Sequence, residues 1–402
     1  MIHHTPAVET GVARANDVLG RLAAVDGLLR ADAEAADTSG EIAPAVTAAI
    51  REAGGYRLSA GGEFGGAGLV RVAAGLARVH AAAAWNLVVS HTNSLLAQSF
   101  ARLSGTAFPA DPDTQWCGVF ASTEAHAAPQ GAGSPDWVVD GVWRYASNSE
   151  LAEWALLNVA TAEHGAGFVW VPRAALTVHA RWAALGLRAT GSHTLAAAQL
   201  VVPSAGFLPT SVLFAPEPDG PLALRVPSRL RTALGLAAVG VGAAEALVAG
   251  LAAAVRGDAD RARVAALPGR GINRPGVAQT LGAAHARVAG ARAVLFAAAD
   301  ELDAAVAHGE LLPAAQLTAA RMILGRVTAD VAAATHELSL VAGSRACLEG
   351  DTVGRLWRDA HVITRHAALS PAVGFELGAR ALVDPGDADA HAAVGPLAPG
   401  TA

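Results

Sequence analysis

The chain has 402 residues, 52% of them hydrophobic and only 16% charged, with a formal net charge of −6. That length buries a large core, and so lean a polar surface implies cover from other subunits. Without a basic run no nucleic-acid partner is expected, and two cysteines, Cys117 and Cys347, offer neither a disulfide framework nor a metal cluster. No secretion signal and no membrane span is expected, and the cysteine usage fits a reducing compartment, by default the cytoplasm.

In chain order, residues 12–105 carry helical patterning. Ser39, Glu41 and an apolar run to Ala53 predict a capped helix that Gly54 and Gly55 stop. A glycine-rich loop at 61–66 precedes a long alanine-rich helical stretch toward Phe100. No strand–loop–helix with a lysine follows that loop, so it does not read as a phosphate loop.

From about Thr114 to Pro209 the texture changes. Apolar runs at 116–121, 137–139, 154–159, 168–171 and 195–202 are divided by Gly, Pro, Asp and Ser, which predicts short strands. From Arg229 helical texture returns, with breaks near 257–275, 309–313 and 343–350. Pro275, Pro313 and Pro371 suit first turns of helices. Residues 235–255 come nearest to a membrane span, but Glu245 with Gly240, Gly242 and Gly250 favours a packed interior helix. The predicted fold class is mainly α with a β insert. It divides into a helical domain at 1–113, a β domain at 114–224, a helical bundle at 225–383 and a mobile tail at 384–402.

Three segments carry a resemblance. The first is Asp140-Gly141-Val142-Trp143-Arg144-Tyr145-Ala146-Ser147, followed by Ala152-Glu153-Trp154. The second is Leu185-Gly186-Leu187-Arg188-Ala189-Thr190-Gly191-Ser192-His193-Thr194, running on to Val202-Pro203. The third is Ala342-Gly343-Ser344-Arg345, then Arg355-Leu356-Trp357-Arg358-Asp359-Ala360-His361 and His366. In order and spacing this set resembles the flavin-dependent two-component monooxygenases of the acyl-CoA dehydrogenase superfamily. The chain departs from their pattern with Asn148 for a glycine, Gly354 for a glutamine and Ala189 for a second glycine.

The resemblance implies a helical N-terminal domain, a central β-barrel-like domain and a C-terminal four-helix bundle, assembled as a homotetramer or dimer. It implies reduced FMN or FAD supplied by a separate reductase, with O2 as co-substrate. A C4a-(hydro)peroxide of the flavin would then hydroxylate or N-oxygenate a small aromatic, polyketide-like or amine substrate. His366 is implied as the group that manages a proton, since imidazole titrates near neutral pH. The plain alternative is a histidine that merely favours a helix C-terminus. Helical spacing would put Arg355, Asp359, Val362 and His366 on one face. Ser147 is implied near the flavin N5, against a simple turn serine, and His91 in the active site, against a core histidine.

For the flavin phosphate the resemblance implies Arg345 after Gly343 and Ser344, with Arg261 second, against nearby Arg263 or a plain solvated charge; a guanidinium fork suits phosphate. Phe120 and Ser122, on an expected strand 117–123, match the stretch that contacts the isoalloxazine. His193 either lines the pocket or serves a turn. No metal site is expected. A dehydrogenase of this superfamily needs a carboxylate base, but residues 363–366 read Ile-Thr-Arg-His and residues 229–241 contain no acid. The alternatives are a dehydrogenase or desaturase with a non-standard base, or a catalytically silent member.

Overall fold

The computed structural model describes residues 6–59, 65–131, 133–215, 217, 220–264, 276–307 and 311–384, with side chains omitted for 6–8, 59 and 258–264. Loop residues 61–64, Pro275 and the tail beyond Asp384 lie outside the described residues.

Five helices come first: α1 (Pro6–Ala23), α2 (Asp26–Ser39), α3 (Pro44–Glu52), α4 (Gly66–Ala77) and α5 (Ala81–Ser104). The expected helix start at Ser39 is corrected. Ser39 is the last residue of α2, Gly40 follows in the left-handed region (φ 76°), and α3 starts at Pro44. The Ser39 hydroxyl instead serves the turn, accepting from the Glu41 N–H at 3.2 Å. The stretch toward Phe100 is two helices, parted at 78–80, because the His80 ring accepts from Ala83 N–H and caps a new start. The other His80 nitrogen meets the Asp32 carboxylate at 2.9 Å.

Eight strands follow: β1 (Trp116–Val119), β2 (Glu124–Pro129), β3 (Trp137–Ala146), β4 (Trp154–Thr161), β5 (Gly165–Pro172), β6 (Thr177–Ala180), β7 (His193–Val202) and β8 (Phe207–Pro209). They form one sheet in the order β6-β7-β3-β2-β4-β5-β8, with β1 beside β4, so β6 and β8 are its two ends. Inward residues such as Val139, Trp143, Leu157, Val169 and Leu195 are fully buried in a second core. The patterning missed β2, β6 and β8, whose residues are mostly exposed or too few to show a period.

The short helices α6 (Thr210–Leu213) and α7 (Leu222–Arg225) lead to the long ones: α8 (Ser228–Val264), α9 (Val277–Val306), α10 (Ala314–Ala342), α11 (Thr352–Ile363) and α12 (Pro371–Val383). Pro313 precedes α10 and Pro371 opens α12, as expected of proline at a helix start. The stretch Ser228–Gly257 is long and apolar enough to cross a membrane, yet 61% of its most apolar window is buried. It packs against α4, α9, α10 and α11 in the main core.

Two clasps tie distant parts of the chain. Asp303 on α9 accepts from the Gly66 and Ala67 N–H groups at 2.9 and 2.8 Å, satisfying the open N-terminus of α4. Asp359 on α11 accepts from the Leu187 N–H at 2.7 Å, in the loop before β7. Gly186 has to be glycine there, because a Cβ would lie 2.4 Å from the backbone of Arg358. Sheet and bundle meet at this seam.

Candidate functional site

Ser147 follows the last residue of β3, where the pairing with β7 slips between Trp143 and Ala146. Asn148 then takes the left-handed region (φ 68°), a conformation asparagine tolerates, so it meets the demand that glycine meets in the resembled pattern. Its backbone N–H donates to Thr190 O at 2.8 Å and its side chain to Trp116 O at 3.0 Å. The turn carrying Ser147 is thereby fixed against the loop carrying Thr190 and Ser192.

A chain of contacts runs through these residues. The Trp85 indole N–H on α5 donates to Ser147 Oγ at 3.0 Å. Ser147 Oγ lies 2.7 Å from Ser192 Oγ, which lies 2.6 Å from Thr190 Oγ1. Thr190 Oγ1 donates to Leu187 O at 2.9 Å. The same Trp85 ring makes a T-shaped contact with His366, with ring centroids 5.4 Å apart at 71°. His366 and Ser147, about 220 residues apart in the sequence, therefore share one indole.

His366 is not on the helix that the spacing implied. α11 stops at Ile363, and His366 caps the next short turn with extended backbone (φ −68°, ψ 134°). Its Nδ1 accepts from the Ala368 N–H at 3.2 Å, a local bond that competes with helix continuation. The neutral ring therefore carries its proton on Nε2, which has no hydrogen-bond partner among the described residues. Desolvation by the surrounding protein pushes its pKa down to about 4, although by accessible surface the residue is exposed.

The other expected residues fall elsewhere. His91 is buried on α5, six residues beyond Trp85 and so on another face. Burial, then Arg231 and Arg14, push its pKa down to about 3. The expected strand 117–123 is corrected: β1 ends at Val119, and Phe120 and Ser122 lie in the following loop. The Ser122 hydroxyl donates to Val142 O and accepts from Glu124 N–H, while Phe120 packs edge-on against Phe168 and Phe214. Arg345 sits in a short 3-10 turn with Gly343 and Ser344, its Nε on Asp351, the residue that caps α11. Twelve helical residues, roughly 18 Å, part that cap from the His366 end. The Arg261 side chain lies outside those described. The His193 ring accepts from Trp182 N–H and meets Glu150.

Sequence reasoning missed Trp85 and assigned Thr190 and Ser192 no role. Trp85 is the one large side chain after four alanines, a signal of close packing without a named partner.

Buried His91 predicts acid lability. Its folded pKa lies below the unfolded value of 6.5, so stability is intact above about pH 6.5 and falls as pH drops toward 3. Asp303 works in the opposite sense: burial raises its pKa to about 6, so acid relieves it. The His91 shift is the larger. His91→Phe is expected to lose less unfolding free energy than the wild type between pH 7 and pH 4.5, read by denaturant titration.

Residues 234–371 match the family model described as "Acyl-CoA dehydrogenase, C-terminal domain". The oxygenase subunit HsaA, a flavin-dependent monooxygenase of Mycobacterium tuberculosis, is 26% identical over 262 residues, covering 61% of this chain and 64% of HsaA. The Rhodococcus jostii HsaA is 29% identical over 257 residues, covering 61% and 66%. The chain thus aligns with somewhat under two thirds of these relatives. The solved structure of XiaF from Streptomyces sp., in complex with FADH2 and glycerol, superposes with a TM-score of 0.81 at 24% identity, covering 94% of this chain and 98% of that one. The bundle region thus matches the acyl-CoA dehydrogenase C-terminal domain, and the whole chain shares its fold with this solved neighbour. The chain's named relatives are oxygenase subunits of flavin-dependent monooxygenases.

Proposed function

We propose that the chain is the oxygenase component of a two-component flavin-dependent monooxygenase. It takes reduced FMN or FAD from a separate flavin reductase and uses O2 to hydroxylate or N-oxygenate a small aromatic, polyketide-like or amine substrate. One observation carries the reading: a neutral histidine and a serine hydroxyl meet on one indole, with no carboxylate bonded to any of the three among the described residues. A thioester dehydrogenase requires a carboxylate base at such a place. The HsaA relatives and the FADH2 complex of XiaF support the same reading.

The residues present fit a flavin. Trp85 and His366 offer aromatic edges, Ser147 a polar atom for a ring nitrogen, and His366 Nε2 a hydrogen-bond donor. Among the described residues Arg345 engages only its Nε, which leaves its outer nitrogens for a phosphate. Phe120, Ser122, Gly343, Ser344, Arg261 and His91 are proposed as further contacts. Reduced flavin supplies the electrons for O2 when bound. The chain's own part is to orient the ring through Ser147, to keep water out with Trp85, and to hold one proton at His366 Nε2.

When the protein is mixed with FMNH2 and oxygenated buffer, oxidised-flavin absorbance should return more slowly than for free FMNH2. A return as fast as in solution, without product from any of the three substrate classes, sinks the proposal.

We further propose the cytoplasm as its location, chain divisions near residues 113, 224 and 383, and a homotetramer. Exposed Met322, Leu340, Phe375, Leu382 and Val383 on α10 and α12 support an assembly. Light scattering at the monomer mass would refute it.

A further inference from the structure

We propose that Ser147 faces the site solely as a hydrogen-bond acceptor, and that Trp85, Ser192 and Thr190 are the positioning residues that enforce this. The inference deepens the flavin reading above. A serine locked as acceptor selects reduced flavin, whose N5 carries a proton, over oxidised flavin, whose N5 can only accept.

The argument follows each proton. A hydroxyl has one proton to give and two lone pairs. A backbone carbonyl can only accept, so the 2.9 Å contact between Thr190 Oγ1 and Leu187 O needs the threonine proton between them. Thr190 then has no proton for Ser192, and their 2.6 Å contact needs the Ser192 proton. Ser192 in turn has none for Ser147, so the 2.7 Å contact between them holds the Ser147 proton. At the other end the Trp85 indole can only donate, which fills one lone pair of Ser147.

The Leu187 carbonyl end sets the direction of the relay, and the Trp85 donor at the other end is compatible with it. Thr190 and Ser192 are buried, at 1% and 4% exposure, so water does not offer their protons another acceptor. Ser147 keeps partial exposure and, among the described residues, one lone pair without a donor. That lone pair is what the site sees.

Two substitutions break the direction without touching Ser147. In Ser192→Ala the Ser147 proton loses its acceptor and can turn into the site. In Thr190→Val, which is nearly isosteric, the Ser192 proton turns to Ser147 and pushes the serine proton outward. Leu187 O keeps two other donors, Thr190 N and Trp182 Nε1, at 3.1 and 3.0 Å.

The test is anaerobic titration of the full-length protein with FMN and with FMNH2, together with the reduction potential of the bound flavin. One net hydrogen bond corresponds to roughly tenfold in affinity. The wild type is expected to bind FMNH2 about tenfold or more tighter than FMN, raising the bound potential by about 30 mV per tenfold. Ser192→Ala and Thr190→Val, each verified as folded by circular dichroism, should lose most of that preference. Wild-type protein given 5-deaza-FMN, which has no nitrogen at position 5, should lose it likewise.

An equal affinity for both redox states in the wild type overturns the proposal. So does a preference that survives in the two variants or with the deaza analogue. Failure to bind FMN and FMNH2 at all overturns the flavin reading itself.

Discussion

His366→Ala is expected to cut product formation by about 100-fold or more, the lower end of what a positioned acid or base contributes, while reduced flavin is still consumed. The ring touches Trp85 and turns its protonated Nε2 away from the Ala368 N–H that fixes Nδ1. Among the described residues, alanine removes the only proton-handling group on that indole besides the Ser147 hydroxyl. Oxidation without product, measured as peroxide released per NADH consumed in the coupled system, is the expected signature. Unchanged coupling would remove His366 from the mechanism.

The same residue sets a pH limb. With its pKa pushed down to about 4, the ring stays neutral through the physiological range, and kcat/KM should be flat across it on the acid side down to about pH 5. Below that, protonation turns Nδ1 into a donor that can no longer accept from Ala368. A wild-type limb near pH 6.5, the value of a free imidazole, would refute the assignment.

The second large effect falls on stability. Asp359→Ala is expected to cost about 3–5 kcal/mol, the range for stripping a buried charge of its partner. Asp359 is 7% exposed; its Oδ1 holds Leu187 N–H, and its Oδ2 lies 3.6 Å from Arg355, which is equally buried. Removing the carboxylate strands both groups. Burial pushes the Asp359 carboxyl upward, and Arg355 and the Leu187 N–H hold it back, so the charge depends on these partners. Asp359→Asn keeps an acceptor for Leu187 and should cost clearly less. Denaturant midpoints of the two variants decide, and equal small losses would mean that the clasp is dispensable.

The order of helices, sheet and bundle was legible because period and punctuation are local. So were the segments around Ser147, Ser192 and His366, which the resemblance picked out in the correct order. Their meeting point was not legible. Trp85 lies in an alanine run on α5 whose local pattern speaks only of close packing, and its two partners lie in other layers of the fold. The extension of the α11 face to His366 failed for a different reason. Helical spacing assumes that the helix goes on, whereas the His366 side chain ends it by bonding to its own turn. Asp359 was expected to share a face with His366, and it instead grips the loop before β7, a partner 172 residues away.

That separation has a kinetic meaning. Contacts so far apart in the chain reward folding only after a long loop has closed, so they form late and slowly. Ser192 and Thr190 lie in the loop that Asp359 fastens, so the ordered hydroxyls are among the last features to mature. A refolding chain should regain its helical circular dichroism well before it regains the power to tell FMNH2 from FMN.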